Sequence, residues 1–275
     1  MNYSTRSFIT SEKVVPSFEK DLSIILKNDG FAFTITSTKN EFLTFGDFQI
    51  EGSPNMTEAI AIVKQVFADN NILLFGFHSA RLVVETEQFV WIPDSLYQEG
   101  NDRMALAAVC PIPIGKSVLN YHNDQIQARI VFTADNAWVS AFKIAIPGIK
   151  ITCQYSALLN EYSVMQSDLK SILLVQVRDG ISDFIVLCNK KLQLCNTYSC
   201  ANFDEAVYHA LNLTSQLHLG EAEMELWLCG DVNREQFTQA RRFFSKVNLY
   251  KGRPLQFGNP DMYTIHTHRI ASILG

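Results

Sequence analysis

The chain has 275 residues, 47% of them hydrophobic, with 23 Lys and Arg against 28 Asp and Glu, a formal net charge of −5. That length suits two domains of roughly 100–150 residues each, or one large one, and no segment is depleted enough in apolar residues to read as disordered. A mildly acidic balance gives no general attraction for nucleic acid or anionic lipid, so neither is an expected partner. The first twelve residues lack the apolar core of a secretory signal. No apolar run approaches the ~18–20 residues needed to cross a bilayer, and the richest, 105–115, contains Pro111 and Pro113. These features predict a cytoplasmic protein without membrane insertion.

In chain order, apolar runs at 22–28, 31–38 and 41–45 predict three strands, with Asp29-Gly30 between the first two. Asp-Gly between alternating runs is a hairpin signal, because glycine supplies positive φ at little cost. Met56, Ala59, Ile60, Val63, Val66 and Phe67 recur at helical steps, and Asn55 or Thr57 is placed to cap that helix. An apolar stretch at 72–77 precedes two strands, 81–84 and 89–92. A helix is predicted over 94–108, a hairpin of strands over 125–133 and 137–146, and a strand over 149–155. A linker within 148–166 divides the chain into halves 1–155 and 156–275.

The second half opens like the first. Runs at 172–178, 181–188 and 192–198 surround Asp179-Gly180, and Phe203, Ala206, Val207, Ala210 and Leu211 form a helical stripe behind Asn202. A strand follows over 223–230, with Met224, Leu226 and Leu228 on one face. A helix is predicted over 233–247, carrying Phe237, Ala240, Phe244 and Val247. Gly30 and Gly180 lie 150 apart, and Met56 and Phe203 lie 147 apart. Nearly constant offsets through successive elements predict an internal duplication.

The six cysteines sit in mostly apolar contexts, and Cys188, Cys195 and Cys200 are spaced too loosely for a zinc site, so buried thiols are expected. Gly115-Lys116-Ser117 resembles the end of a phosphate loop, but Cys110 stands where that loop needs glycine. His266 and His268 share one face of a predicted strand, with Asp261 as a conceivable third ligand; exposed tail histidines are the expectation. Glu85 and Glu87 lack a facing carboxylate and read as solvated edge residues. Arg241, Arg242, Lys246, Lys251 and Arg253 fall in thirteen positions without an acidic residue. Two readings stay open there: cations favouring a helix C-terminus, or a patch formed by Arg241, Arg242 and Lys246 for an acidic protein partner, with RNA as the less favoured occupant.

A β-meander, helix, strand and helix occurring twice resembles the actin-like ATPase (ribonuclease H-like) fold, an α/β class with mixed sheets. The whole chain is similar to an uncharacterised bacterial family with that fold, a domain of unknown function, and distantly to pilus-assembly ATPase-like proteins. The resemblance implies a nucleotide cleft, whose matching positions here are Asp29, Gly30, Asp179, Gly180, Ser182 and Gly230. Members that bind ATP carry Asp-x-Gly at the first hairpin, whereas both hairpins here place the carboxylate directly before the glycine. Phe31 and Phe33 follow where small residues admit phosphate. Only Gly230 of the adenosine glycines remains, beside Asp231, which would cap the next helix. The cleft is therefore expected to be degenerate, with no cofactor and no catalytic residue. The functional expectation is a non-catalytic binding or scaffold protein with an unidentified protein partner. The alternative is a nucleotide-binding ATPase or phosphotransferase using Asp29 and Asp179.

Overall fold

Two β-meanders of apolar, β-branched and aromatic residues organise the chain, which is described by a computed structural model over residues 3–11, 19–71, 76–160, 171–219, 224–257 and 264–274. The chain divides into two units, Met1–Ala157 with Pro254–Ile265, and Leu158–Arg253 with His266–Gly275.

In the first unit, β1 (Tyr3–Thr10), β2 (Lys20–Lys27), β3 (Gly30–Ser37) and β4 (Glu41–Ile50) lead into α1 (Met56–Asp69), β5 (Ser79–Val84), β6 (Phe89–Pro93), α2 (Asp102–Ala107), β7 (Lys116–Asn123), β8 (Ala128–Asp135), α3 (Asn136–Ala145), β9 (Lys150–Cys153) and α4 (Gln154–Asn160). β2, β3 and β4 pair antiparallel, while β5 runs parallel to β2 and β9 parallel to β5. The order is β1-β4-β3-β2-β5-β9. β6, β8 and β7 form a separate three-stranded sheet. The unit boundary falls within α4.

In the second unit, β10 (Ser171–Arg178), β11 (Ile181–Cys188) and β12 (Lys191–Ser199) precede α5 (Phe203–Gln216), β13 (Met224–Gly230), α6 (Arg234–Ala240) and β14 (Lys246–Leu249). Their order is β12-β11-β10-β13-β14, again with the fourth and fifth strands parallel to the first. Each sheet thus places its meander third-second-first and then adds the fourth and fifth strands, the same mixed α/β arrangement twice. β15 (Gln256–Phe257) belongs to the first unit, where it pairs parallel with β4, and in the second unit α7 (Ala271–Leu274) follows a 3-10 turn at Thr267–Ile270.

The cores follow the alternation. Leu173 and Val175 of β10, Phe184 and Val186 of β11, and Leu226 and Leu228 of β13 point to one face, where Phe203, Ala206, Val207 and Ala210 of α5 cover them. In the first unit Phe31 meets Phe142 edge-on at 5.3 Å, and Phe67 packs 6.4 Å from Phe142.

Several sequence expectations change. Residues 137–146 form helix α3 rather than a strand, because the Asp135 carboxylate accepts from Ala137 N (3.0 Å) and Trp138 N (3.3 Å), and Trp138, Val139 and Phe142 then face the core. The hairpin expected over 125–146 is instead β7–β8, 116–123 with 128–135. The helix expected over 94–108 shortens to α2, and the strand over 149–155 stops at Cys153. The helix expected over 233–247 ends at Ala240, since Val247 and Leu249 join the sheet beside β13. β1 was not foreseen: its row of four exposed or half-exposed polar residues hides the period. Parts of the expected 72–77 and 148–166 stretches, and Glu223, lie outside the described residues.

Asn55, not Thr57, caps α1: its side chain accepts from Glu58 N at 3.1 Å while Glu58 accepts from Asn55 N at 2.8 Å. Asn55→Ala should cost about 1 kcal/mol, read as a lower urea midpoint. Thr57→Ala should leave that midpoint within roughly the equivalent of 0.5 kcal/mol.

Candidate functional site

The two Asp-Gly hairpins are not equivalent. Lys27 pairs with Gly30, so the first turn consists of Asn28 and Asp29 and the glycine already belongs to β3. Gly30 has φ +153°, and a Cβ there would overlap the Phe48 carbonyl oxygen. In the second hairpin Arg178 pairs with Ile181, so Asp179 and Gly180 are themselves the turn. Gly180 has φ +70° with open space where a Cβ would sit. Glycine is required by close packing in one hairpin and by backbone conformation in the other.

Around the first turn, Arg6 Nη2 of β1 lies 2.5 Å from Asp29 Oδ2, and Lys27 Nζ lies 2.7 Å from Asp47 Oδ1. Burial would push the Asp29 carboxyl up, but the hydrogen bond and charge of Arg6, with Lys27, outweigh that and hold it below its ordinary value. Phe31 and Phe33 are fully buried, and Phe33 stacks on Phe48 at 5.9 Å. They are core residues of the sheet.

At the second turn Asp179 is exposed. Ser182 is 0% exposed, and its Oγ lacks a hydrogen-bond partner of good geometry although it lies close enough to the Cys200 thiol to act on it electrostatically. Gly230 has φ +80°, and a Cβ would overlap the Val177 carbonyl oxygen, to which Asp231 N donates at 2.8 Å. Asp231 does not cap α6: Asn233 does, in a capping box with Gln236, and Asp231 Oδ1 pairs with Arg269 at 3.3 Å.

The residues that sequence reasoning missed lie beside this turn. Asp183 is buried and takes a bidentate grip from Arg178, Nε to Oδ2 and Nη2 to Oδ1, both 2.8 Å. Thr197 Oγ1 donates to Asp183 Oδ1 at 2.8 Å. Gln176 stands opposite Asp183 across β10–β11, buried with its Oε1 lacking a partner. Burial pushes the Cys229 thiol well up, and the Asp183 charge adds to it. The available signal was an arginine and an aspartate inside apolar strands, two positions apart across a two-residue turn.

Arg241 caps the end of α6, Arg242 lies in the following turn and Lys246 begins β14, all three exposed. A surface concavity of ≈ 450 Å³ is lined by Arg234, Glu235, Thr238, Gln239 and Arg242. His268 is buried rather than exposed, its Nε2 donating to the Val232 carbonyl at 3.0 Å. His266 and His268 lie at a 3-10 turn instead of a strand, and Asp261 falls outside the described residues. Among the described residues no group of three or more His, Cys, Asp or Glu is placed to hold a metal ion, and no helix is long and apolar enough to cross a membrane. Cys153, Cys200 and Cys229 are buried.

A family described as a protein of unknown function, DUF3822, matches residues 13–247. Among solved structures, a Bacteroides thetaiotaomicron protein with an actin-like ATPase fold and unknown function is 20% identical at a TM-score of 0.69, over 85% of this chain and 91% of that one. A chain of the PilM–PilN type IV pilus biogenesis complex is 11% identical at a TM-score of 0.56, over 94% of this chain and 97% of that one. No curated protein matches the sequence. At such identities the likeness is one of fold, and the fold is that of the actin-like ATPases.

Two expectations follow from this geometry. Asp183→Ala leaves the Arg178 guanidinium without its bidentate partner and should cost about 3–5 kcal/mol in denaturant unfolding, whereas the exposed Asp179→Ala should change little. Burial pushes the His268 imidazole below its usual value, with His266, Arg269 and Lys251 acting the same way and the Val232 carbonyl opposing. The fold therefore favours neutral His268, and the unfolded chain takes up its proton first, near pH ~6.5. Stability should be full above that pH and fall as pH drops toward the lower folded value. His268→Gln should flatten this part of a urea-midpoint profile between about pH 7 and 5.

Proposed function

Since the chain belongs to the DUF3822 family of proteins of unknown function, we propose that it is a non-catalytic binding or scaffold protein, an actin-like ATPase fold kept without a working nucleotide site. The observation that carries this reading is that, apart from the exposed Asp179 and Gly180, the groups at the two hairpins and at Gly230 are engaged in the fold. Asp29 is tied to Arg6, Arg178 is gripped by Asp183, Ser182 is buried, and Gly30 and Gly230 each accommodate a backbone carbonyl. Phosphate binding by this fold needs free turn amides and an available carboxylate for magnesium-bound water. The PilM–PilN complex offers a precedent for an actin-like fold that works with a protein partner, and the same use is proposed for this chain. Its place of action is proposed to be the cytoplasm.

Thermal melting of the purified chain with and without millimolar ATP and magnesium tests the reading. A ligand at ~100 times its dissociation constant adds about 2.7 kcal/mol, a rise of several degrees for a protein of this size. No rise is expected. A rise of that size, reduced by Asp179→Ala, would overturn the proposal in favour of a nucleotide-binding ATPase or phosphotransferase.

A further inference from the structure

Three exposed arginines, Arg234, Arg241 and Arg242, lie in and just after α6. Arg6, Arg178 and Arg269 each meet a carboxylate, of Asp29, Asp183 and Asp231. Among the described residues, no carboxylate pairs with Arg234, Arg241 or Arg242, although the chain carries more acid than base. No acidic residue occurs between Glu235 and Asp261, while Arg241, Arg242, Lys246, Lys251 and Arg253 do. A planar guanidinium presents five donors in a fork suited to a carboxylate, so several of them on one exposed stretch suit an acidic partner.

The geometry points to the concavity lined by Arg234, Glu235, Thr238, Gln239 and Arg242 as a docking groove for an acidic peptide segment of a partner protein, an inference that rests on the binding-protein reading above. Arg234 begins α6 and Arg242 lies eight positions on, in the turn after the helix ends at Ala240, and both line the concavity. Two guanidinium groups separated along the chain in this way suit a peptide that carries more than one carboxylate. The wall between them is fixed, because Gln239 donates to Asp204 of α5 and Thr238 Oγ1 donates to the Arg234 carbonyl at 2.9 Å. Glu235 selects among polyanions: the continuous charge of a nucleic acid backbone would be repelled by it, whereas a peptide can place its carboxylates at the two arginines and a neutral residue between.

The test uses the full chain and a fluorescent acidic peptide of roughly twelve residues, with carboxylates one and two helical turns apart. Anisotropy titration at low salt should show binding that weakens as salt rises. Arg234→Glu combined with Arg242→Glu should weaken it at least about tenfold with an unchanged melting temperature. Lys39→Glu combined with Lys64→Glu makes the same charge change on exposed residues of the first unit and should leave affinity within about twofold. Absence of binding, equal weakening by both pairs, or tighter binding of a single-stranded oligonucleotide of equal charge that depends on Arg234 and Arg242 would each overturn the groove. Such a failure without a melting response to ATP removes the groove and leaves the scaffold reading, whereas a response to ATP removes the reading on which the groove depends.

Discussion

Parallel pairing between the first strand of each meander and the strand after its helix holds both units together. β2 meets β5 from Asp21↔Ser79 to Leu26↔Val84, and β10 meets β13 from Ser171↔Met224 to Val177↔Gly230. Parallel neighbours cannot be joined by a tight turn, so each pairing requires a crossover, supplied by α1 and α5. A strand in such a position has both faces covered, and β10 reads accordingly as Ile-Leu-Leu-Val with all four residues buried. The cost falls at the end of the pairing. Where β13 leaves the sheet beside Val177, two backbones approach so closely that only glycine fits, which explains Gly230 without reference to any ligand.

The same burial accounts for the chemistry at the second hairpin. Arg178 and Asp183 lie where the sheet is covered, so neither charge can remain unpaired, and the bidentate grip with Thr197 satisfies them together. An ion pair of this kind contributes little net stability against an apolar replacement, but it is costly to break, and it ties β10, β11 and β12 at their turn end. The exposed charges behave differently. Arg234, Arg241 and Arg242 are exposed to water, where a cation carries no desolvation cost.

Local signals were legible wherever the determining contacts lie within a few residues. Asn55, Asn202 and Asn233 announce three helices, and all three cap through their side chains. The hairpins at Asp29-Gly30 and Asp179-Gly180 were legible as turns, but their registers differ by one residue, and the dipeptide carries no sign of that. The resemblance to the actin-like fold could be read from element order, since order survives when motifs do not. Residues 137–146 misled because Trp138, Val139 and Phe142 satisfy a strand's composition as well as a helix's stripe, and only Asp135 as a cap distinguishes the two. Of the candidate site, the positions were legible while their burial was not: nothing in the sequence around Ser182 separates a surface serine from one that is 0% exposed.

What the sequence alone determined is the run of apolar periods and their punctuation: two meanders, two capped crossover helices, and hence an α/β chain with mixed sheets. These follow from interactions between near neighbours, which the order of residues encodes directly. Tertiary structure alone decided which strands are adjacent, which charges meet and where helices stop. α6 ends at Ala240 because Lys246–Leu249 is drawn to the edge of β13, and β15 joins β4 across more than two hundred residues of sequence. Asp29 finds Arg6 and Asp183 finds Arg178 by the same means. Contacts of that kind depend on three-dimensional register, in which a shift of one residue turns a side chain from the buried face to the exposed one.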